Sequence, residues 1–172
     1  MKKVLFLFMC LFATIMAQAA GKTVVPTVGN CYLEEISATE CNIHVLGTIE
    51  TTAVSTIRAY IGVQGYTTVD VTTADGYSLI SGDIAKLFGN WPGDTNNMIP
   101  QTTTALSLKD ADITSGVAYG DAGIRYLQNI KKLTCSKTAK GPYFNADNSI
   151  ETVIVPKIGK DGASGATIGY FH

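Results

Sequence analysis

Histidine is the scarcest chemically versatile residue in this 172-residue chain, occurring only as His44 and His172. Any Ser-His-Asp or Cys-His site must therefore draw its general base from one of these two. The serine in Gly162-Ala163-Ser164-Gly165-Ala166 does not meet the G-x-S-x-G pattern of a nucleophile elbow. The glycine-rich residues 159–169 lack a following Lys-Ser or Lys-Thr pair and lead into no helix, so neither a P-loop nor a dinucleotide fingerprint is present. No catalytic residue and no cofactor is assigned on this basis.

Three softer constellations remain. Cys41-Asn42-Ile43-His44 brings a thiol and an imidazole close together, and with Cys31 and Cys135 it would make a Cys3His zinc set, although the spacing is not that of a finger. Asn145, Asp147, Ser149 and Glu151 alternate side-chain oxygens as a hard-cation loop does, but without the glycine that turns an EF-hand loop; a polar strand edge or turn has the same pattern. Trp91 stands in a loop with Asp94, Asn96 and Asn97, which combines an aromatic plate with hydrogen-bonding side chains, the ingredients of a sugar-binding lip. The alternative for Trp91 is an indole folded back over the core.

The N-terminus bears on how the cysteines are used. Lys2 and Lys3 precede an apolar run over residues 4–16, and Ala17-Gln18-Ala19 is a small-x-small cleavage site. Residues 1–19 therefore read as a secretory signal peptide and residues 20–172 as one exported domain. Cys10 follows the bulky Met9, which does not suit lipoprotein processing. Without the leader, 11 basic residues face 14 acidic ones, a formal charge of −3, so nucleic acid is not an implied partner. No later apolar stretch is long enough to span a membrane. An exported chain favours disulfide bonding over zinc for Cys31, Cys41 and Cys135, with Cys31 to Cys41 preferred over a bridge to Cys135.

The elements that would carry these residues read mainly as strands. Residues 52–80 alternate as a three-stranded antiparallel meander, beginning with Ser55, Ile57, Ala59, Ile61 and Val63 on one side, although Val54, Ile57 and Ile61 also fit a helical face. Residues 22–28, broken by Pro26, suit an edge strand; Gly29-Asn30 is a turn; residues 31–36 and 43–49 are further strands. His44 falls among apolar neighbours, where a histidine is usually structural. Ile84, Leu87 and Phe88 mark a short helix capped by Ser81 and stopped by Gly89, and residues 89–100 form a surface loop. Leu106 and Leu108 alternate as in a strand. Ile124, Leu127 and Ile130 predict a helix over residues 121–133, and residues 150–158 and 166–171 a closing hairpin. No internal repeat stands out. The expected fold is mainly β, an antiparallel sandwich or Ig-like sheet with one or two short helices; α+β is the alternative.

At the C-terminus, Ala166-Thr167-Ile168-Gly169-Tyr170-Phe171-His172 resembles the final strand of bacterial fimbrial subunits, with Phe171 as the penultimate aromatic and Gly159 as the upstream glycine. That resemblance implies assembly by strand exchange; the short Cys31 to Cys41 spacing departs from the usual pilin pair. The resulting expectation is an extracytoplasmic binding or surface-structural protein, self-assembling or adhesive, whose partner is a second copy, another surface protein or a glycan. It would be secreted, periplasmic or at the cell surface. The rival is a small secreted hydrolase using His44.

Overall fold

A computed structural model describes residues 21–114, 124–136, 138 and 150–154. Its centre is one mixed sheet of seven strands in sequence order: β1 (Lys22–Val28), β2 (Cys31–Ser37), β3 (Glu40–Val45), β4 (Thr68–Thr73), β5 (Ala105–Ser107), β6 (Lys132–Thr134) and β7 (Thr152–Ile154). β1, β2 and β3 are antiparallel neighbours, whereas every pair from β3 to β7 is parallel. The expectation of a sheet-rich fold, mainly β or α+β, holds at that level. The sheet is not wholly antiparallel, and no second sheet packs on it among the described residues.

The antiparallel start is set by local turns. Gly29 (φ 50°) and Asn30 (φ 64°) both occupy positive φ, as a two-residue type I′ hairpin demands, and Val28 pairs with Cys31 across it. Gly29 is also fixed by proximity, since a Cβ there would lie 2.8 Å from the Glu50 Cβ. The expected edge strand is present at β1, but it is blunted. Pro26 removes a donor, and the register with β2 shifts between Thr23 and Val25 and again between Val25 and Val28.

Parallel pairing needs a crossover, and the segment read as the first meander strand supplies one. Residues 51–64 form helix α1 (Thr51–Gln64), not a strand. The spacing of its buried residues, Ala53, Val54, Ile57 and Ile61, is helical, while Ser55, Ala59 and Val63, expected on the same side as Ile57, face solvent. Burial against β1 and β2 outweighs the weak helix propensity of the β-branched residues. Gly65 (φ 74°) closes the helix, its N–H donating to the Ile61 carbonyl at 2.9 Å. Residues 68–73 are the only regular strand of the expected meander; Leu79 makes a single parallel bridge to Ile113.

The second crossover carries α2 (Ser81–Phe88). Ser81 does not cap it. Asp83 does, accepting the Ile80 N–H at 3.0 Å through its side chain. The loop beyond Gly89 returns along the helix, so that Met98 and Ile99 donate their N–H groups to the carbonyls of Lys86 (2.7 Å) and Leu87 (3.0 Å), which the helix end leaves unpaired. Ile124, Leu127 and Ile130 are buried as expected, but they sit on a short 3-10 turn (Ile124–Tyr126) and the approach to β6, so the helix predicted for residues 121–133 is absent over its described part. The predicted hairpin is described only at β7.

In register, Cys41, Val69, Leu106, Leu133 and Val153 stack across five strands on the core side. Each parallel strand pairs with the next strand in the chain. A pair of substitutions tests the helical register of α1. Ile57→Ala is expected to cost about 2–5 kcal/mol and Ser55→Ala within about 0.5 kcal/mol, measured by urea unfolding; equal costs would restore the strand reading.

Candidate functional site

Strand parity sorts the chemistry-bearing residues onto two faces. Core-facing positions of β3 are Cys41, Ile43 and Val45; Glu40, Asn42 and His44 point the other way. His44 thus lies on the polar face and is not among apolar neighbours. It pairs with the Glu34 carboxylate at 2.7 Å and stacks on Tyr32 with ring centroids 4.2 Å apart and planes 6° from parallel. The thiol of Cys41 is on the opposite side of the sheet, so the two cannot form a Cys-His dyad or share a zinc ion. The hydroxyl opposite His44, on Thr72, donates to Asn42 Oδ1 at 3.1 Å and accepts from Asn42 Nδ2 at 3.0 Å. Among the described residues no cluster of three His, Cys, Asp or Glu side chains converges to hold a cation.

Cys31, Cys41 and Cys135 are all buried free thiols, so the disulfide expected between Cys31 and Cys41 is not formed. Register gives the reason. Cys31 faces Val45 and Cys41 faces Glu35, which places the two cysteines four residues apart along β2, about 13 Å. A disulfide tolerates only about 7 Å between Cα atoms. Cys135 follows β6, three strands from β3, or about 14 Å. Burial pushes each thiol up to about 12, with Asp83 adding to the effect at Cys31, and Asp70 and then Glu40 at Cys41.

The loop expected to form a sugar-binding lip divides in two. Asp94 and Asn97 are buried and build the loop. Asp94 accepts the N–H groups of Asn90 (3.0 Å) and Asn96 (2.8 Å), and Asn97 donates to the carbonyls of Leu87 (3.3 Å) and Ile99 (2.6 Å). Arg58 of α1 clasps Asn97 through its carbonyl at 2.8 Å and its Oδ1 at 2.9 Å. Of these four side chains only Trp91 and Asn96 remain exposed. Trp91 is 52% accessible and does not fold over the core. Of the proposed cation ligands, Asn145, Asp147 and Ser149 lie outside the described residues, as does the fimbria-like tail; Glu151 is exposed and pairs with Lys131 at 3.0 Å.

Among the described residues, a concave feature lies on the polar face of the parallel strands. Two rows cross it: Glu40, Thr68, Ala105, Lys132 and Thr152; then Asn42, Asp70, Ser107, Thr134 and Ile154. Short side chains at Ala105 and Ser107 leave an open trough of about 230 Å3, lined by Glu40 and Asp70 from β3 and β4, by Lys132 from β6 and by Lys109, which follows β5 and acts on Asp70. Partial burial raises Asp70 above the usual carboxylate range, and Glu40 adds to this, while Lys109 and the Ser107 hydroxyl pull it down. Lys109 itself pairs with Asp110 at 3.6 Å. Alternation along β4 sets Asp70 on the face opposite Val69 and Val71, but its placing on one trough with Lys132 depends on sheet register, which local sequence does not carry.

No protein-family model matches the chain, and no curated protein or solved structure shows significant similarity to it.

Two measurements follow from this geometry. In the chain lacking residues 1–19, a maleimide is expected to modify none of the three thiols in the native protein and all three after guanidinium unfolding, counted by mass spectrometry; a mass two protons short would reveal a disulfide. Asp70, raised in the folded state, favours folding when protonated, a contribution present below 3.8 and lost as pH rises through its folded value. Asp70→Asn is therefore expected to raise the melting temperature at pH 7 relative to wild type, with the gain disappearing at pH 3.5 and below.

Proposed function

We propose that this chain is an extracytoplasmic binding protein that presents the polar face of its parallel sheet to a ligand outside the cytoplasm. The observation that carries this is the trough between Glu40, Asp70, Lys109 and Lys132, where hydroxyl and charged side chains converge on a concave surface. Its location follows from the leader-like residues 1–19, with a basic start, an apolar run and small residues at 17 and 19. Secretion, the periplasm or the cell surface all fit. Among the described residues no helix is long and apolar enough to cross a membrane.

Binding is favoured over catalysis by the surroundings of His44, whose imidazole is held by Glu34 and Tyr32 and, among the described residues, hydrogen-bonds to no serine or cysteine. It is favoured over assembly through β1 by Pro26 and the two register shifts, which leave that edge poorly suited to another strand.

The test has two arms. Expression of the full chain in a bacterial host is expected to yield protein outside the cytoplasm whose N-terminus begins at Ala20. A hydrolase panel comparing wild type with His44→Ala is expected to show the same background for both. Turnover that disappears in His44→Ala would make the protein an enzyme.

A further inference from the structure

We infer that the trough over β4, β5 and β6 binds a short zwitterionic peptide of two or three residues with free ends. This deepens the binding role proposed above and rests on it. The ligand lies across the strands, its ammonium group against Asp70 and Glu40 and its carboxylate against Lys132, with Lys109 beside it.

The charges are what select this class. Among the described residues neither Asp70 nor Lys132 has an ion-pair partner within 4.0 Å, and both line the same concavity, where Asp70 is met by the Ser107 hydroxyl and by the more distant Lys109 charge. Asp70 is in addition partly withdrawn from water, where a cationic group compensates a carboxylate more strongly than at an open surface. A ligand of one sign would satisfy one wall and be repelled by the other. A phosphate ester would face two carboxylates, and a simple cation two lysines. A neutral sugar usually stacks on an aromatic plate, and none lines the trough: Tyr32 is stacked on His44, and Trp91 stands on the loop after α2.

Size and spacing set the length. Asp70 in β4 and Lys132 in β6 are two strands apart and offset by two residues along the sheet, about 12 Å at the usual strand spacing and rise. Extended residues advance about 3.3 Å each, so two or three bridge that gap once the side chains reach inward. A volume of about 230 Å3 lies below the range of about 300–1,000 Å3 typical of drug-sized ligands, which suits an occupant of a few residues. Thr68 and Ser107 supply hydroxyls, and Ala105 leaves the backbone of the peptide room to approach the sheet.

The experiment is calorimetric and NMR titration of the chain lacking residues 1–19 with Ala-Ala and Ala-Ala-Ala. Each is compared with its N-acetylated form, its C-amidated form and a neutral oligosaccharide. The expected result is saturable one-to-one binding of the free-ended peptides, weakened about three- to tenfold by either blocked end. Asp70→Asn is expected to weaken the free peptide by a similar factor and to add nothing once the amine is acetylated. Lys132→Gln, at an exposed position that folding tolerates, should show the same relation to the amidated end. Equal binding of free and blocked peptides, or no saturation up to about 10 mM, overturns the inference. Binding of the oligosaccharide alone overturns the ligand class while leaving the binding role intact, and that role fails separately if the protein stays in the cytoplasm or proves to be a hydrolase.

Discussion

A single buried carboxylate joins the parts of this molecule that sequence keeps apart. Asp83 is fully enclosed at the start of α2 and accepts three hydrogen bonds: from the Ile49 N–H at 2.9 Å, the Tyr77 hydroxyl at 2.6 Å and the Ile80 N–H at 3.0 Å. Ile49 belongs to the segment that enters α1, Tyr77 and Ile80 to the segment that leaves β4. One side chain thus ties both crossovers together, and Lys86 strengthens the join by donating to the Ile49 carbonyl. An enclosed carboxylate without such donors would be strongly unfavourable, so the three partners and the carboxylate require one another. Burial and the bond to Asp83 raise the Tyr77 hydroxyl to about 12, which keeps it a donor throughout the neutral range.

With the crossovers held, the sheet settles the remaining chemistry through parity and register. Alternation along β3 sends Cys41 to the core and His44 to the polar face, which separates two groups that lie three positions apart in the chain. Antiparallel register places Cys31 and Cys41 too far apart to bond. Parallel register brings Glu40, Asp70, Ser107, Thr134 and Lys132 from four strands into two adjoining rows. The same rule therefore takes apart a candidate thiol-imidazole site and assembles a polar trough from residues whose spacing in the chain carried no motif.

The loop around Trp91 makes a related point about polar side chains. Asp94, Asn96 and Asn97 have the composition of a binding lip, but the backbone of a tight loop needs acceptors and donors of its own. Asp94 and Asn97 meet that need and are enclosed in doing so. The close approach at Gly89, where a Cβ would meet the Asp94 Cβ at 2.9 Å, shows how little space the loop leaves.

What the sequence determined by itself is the local part of the structure. The Gly29-Asn30 hairpin, the Pro26 edge strand, the alternation of β4 and the short helix ending at Gly89 all rest on interactions within a few residues, and all were legible. So was the burial of Ile124, Leu127 and Ile130, although not the shape of the backbone that buries them. Over residues 51–64 the apolar pattern fits two periods at once, and only the need for a crossover between parallel β3 and β4, with Ile57 and Ile61 packed inward, selects the helix. Strand pairing is decided by contacts between residues far apart in the chain. For that reason the single mixed sheet, the free state of three thiols, the enclosure of Asp83 and the placing of Asp70 and Lys132 around one trough were decided by tertiary structure alone.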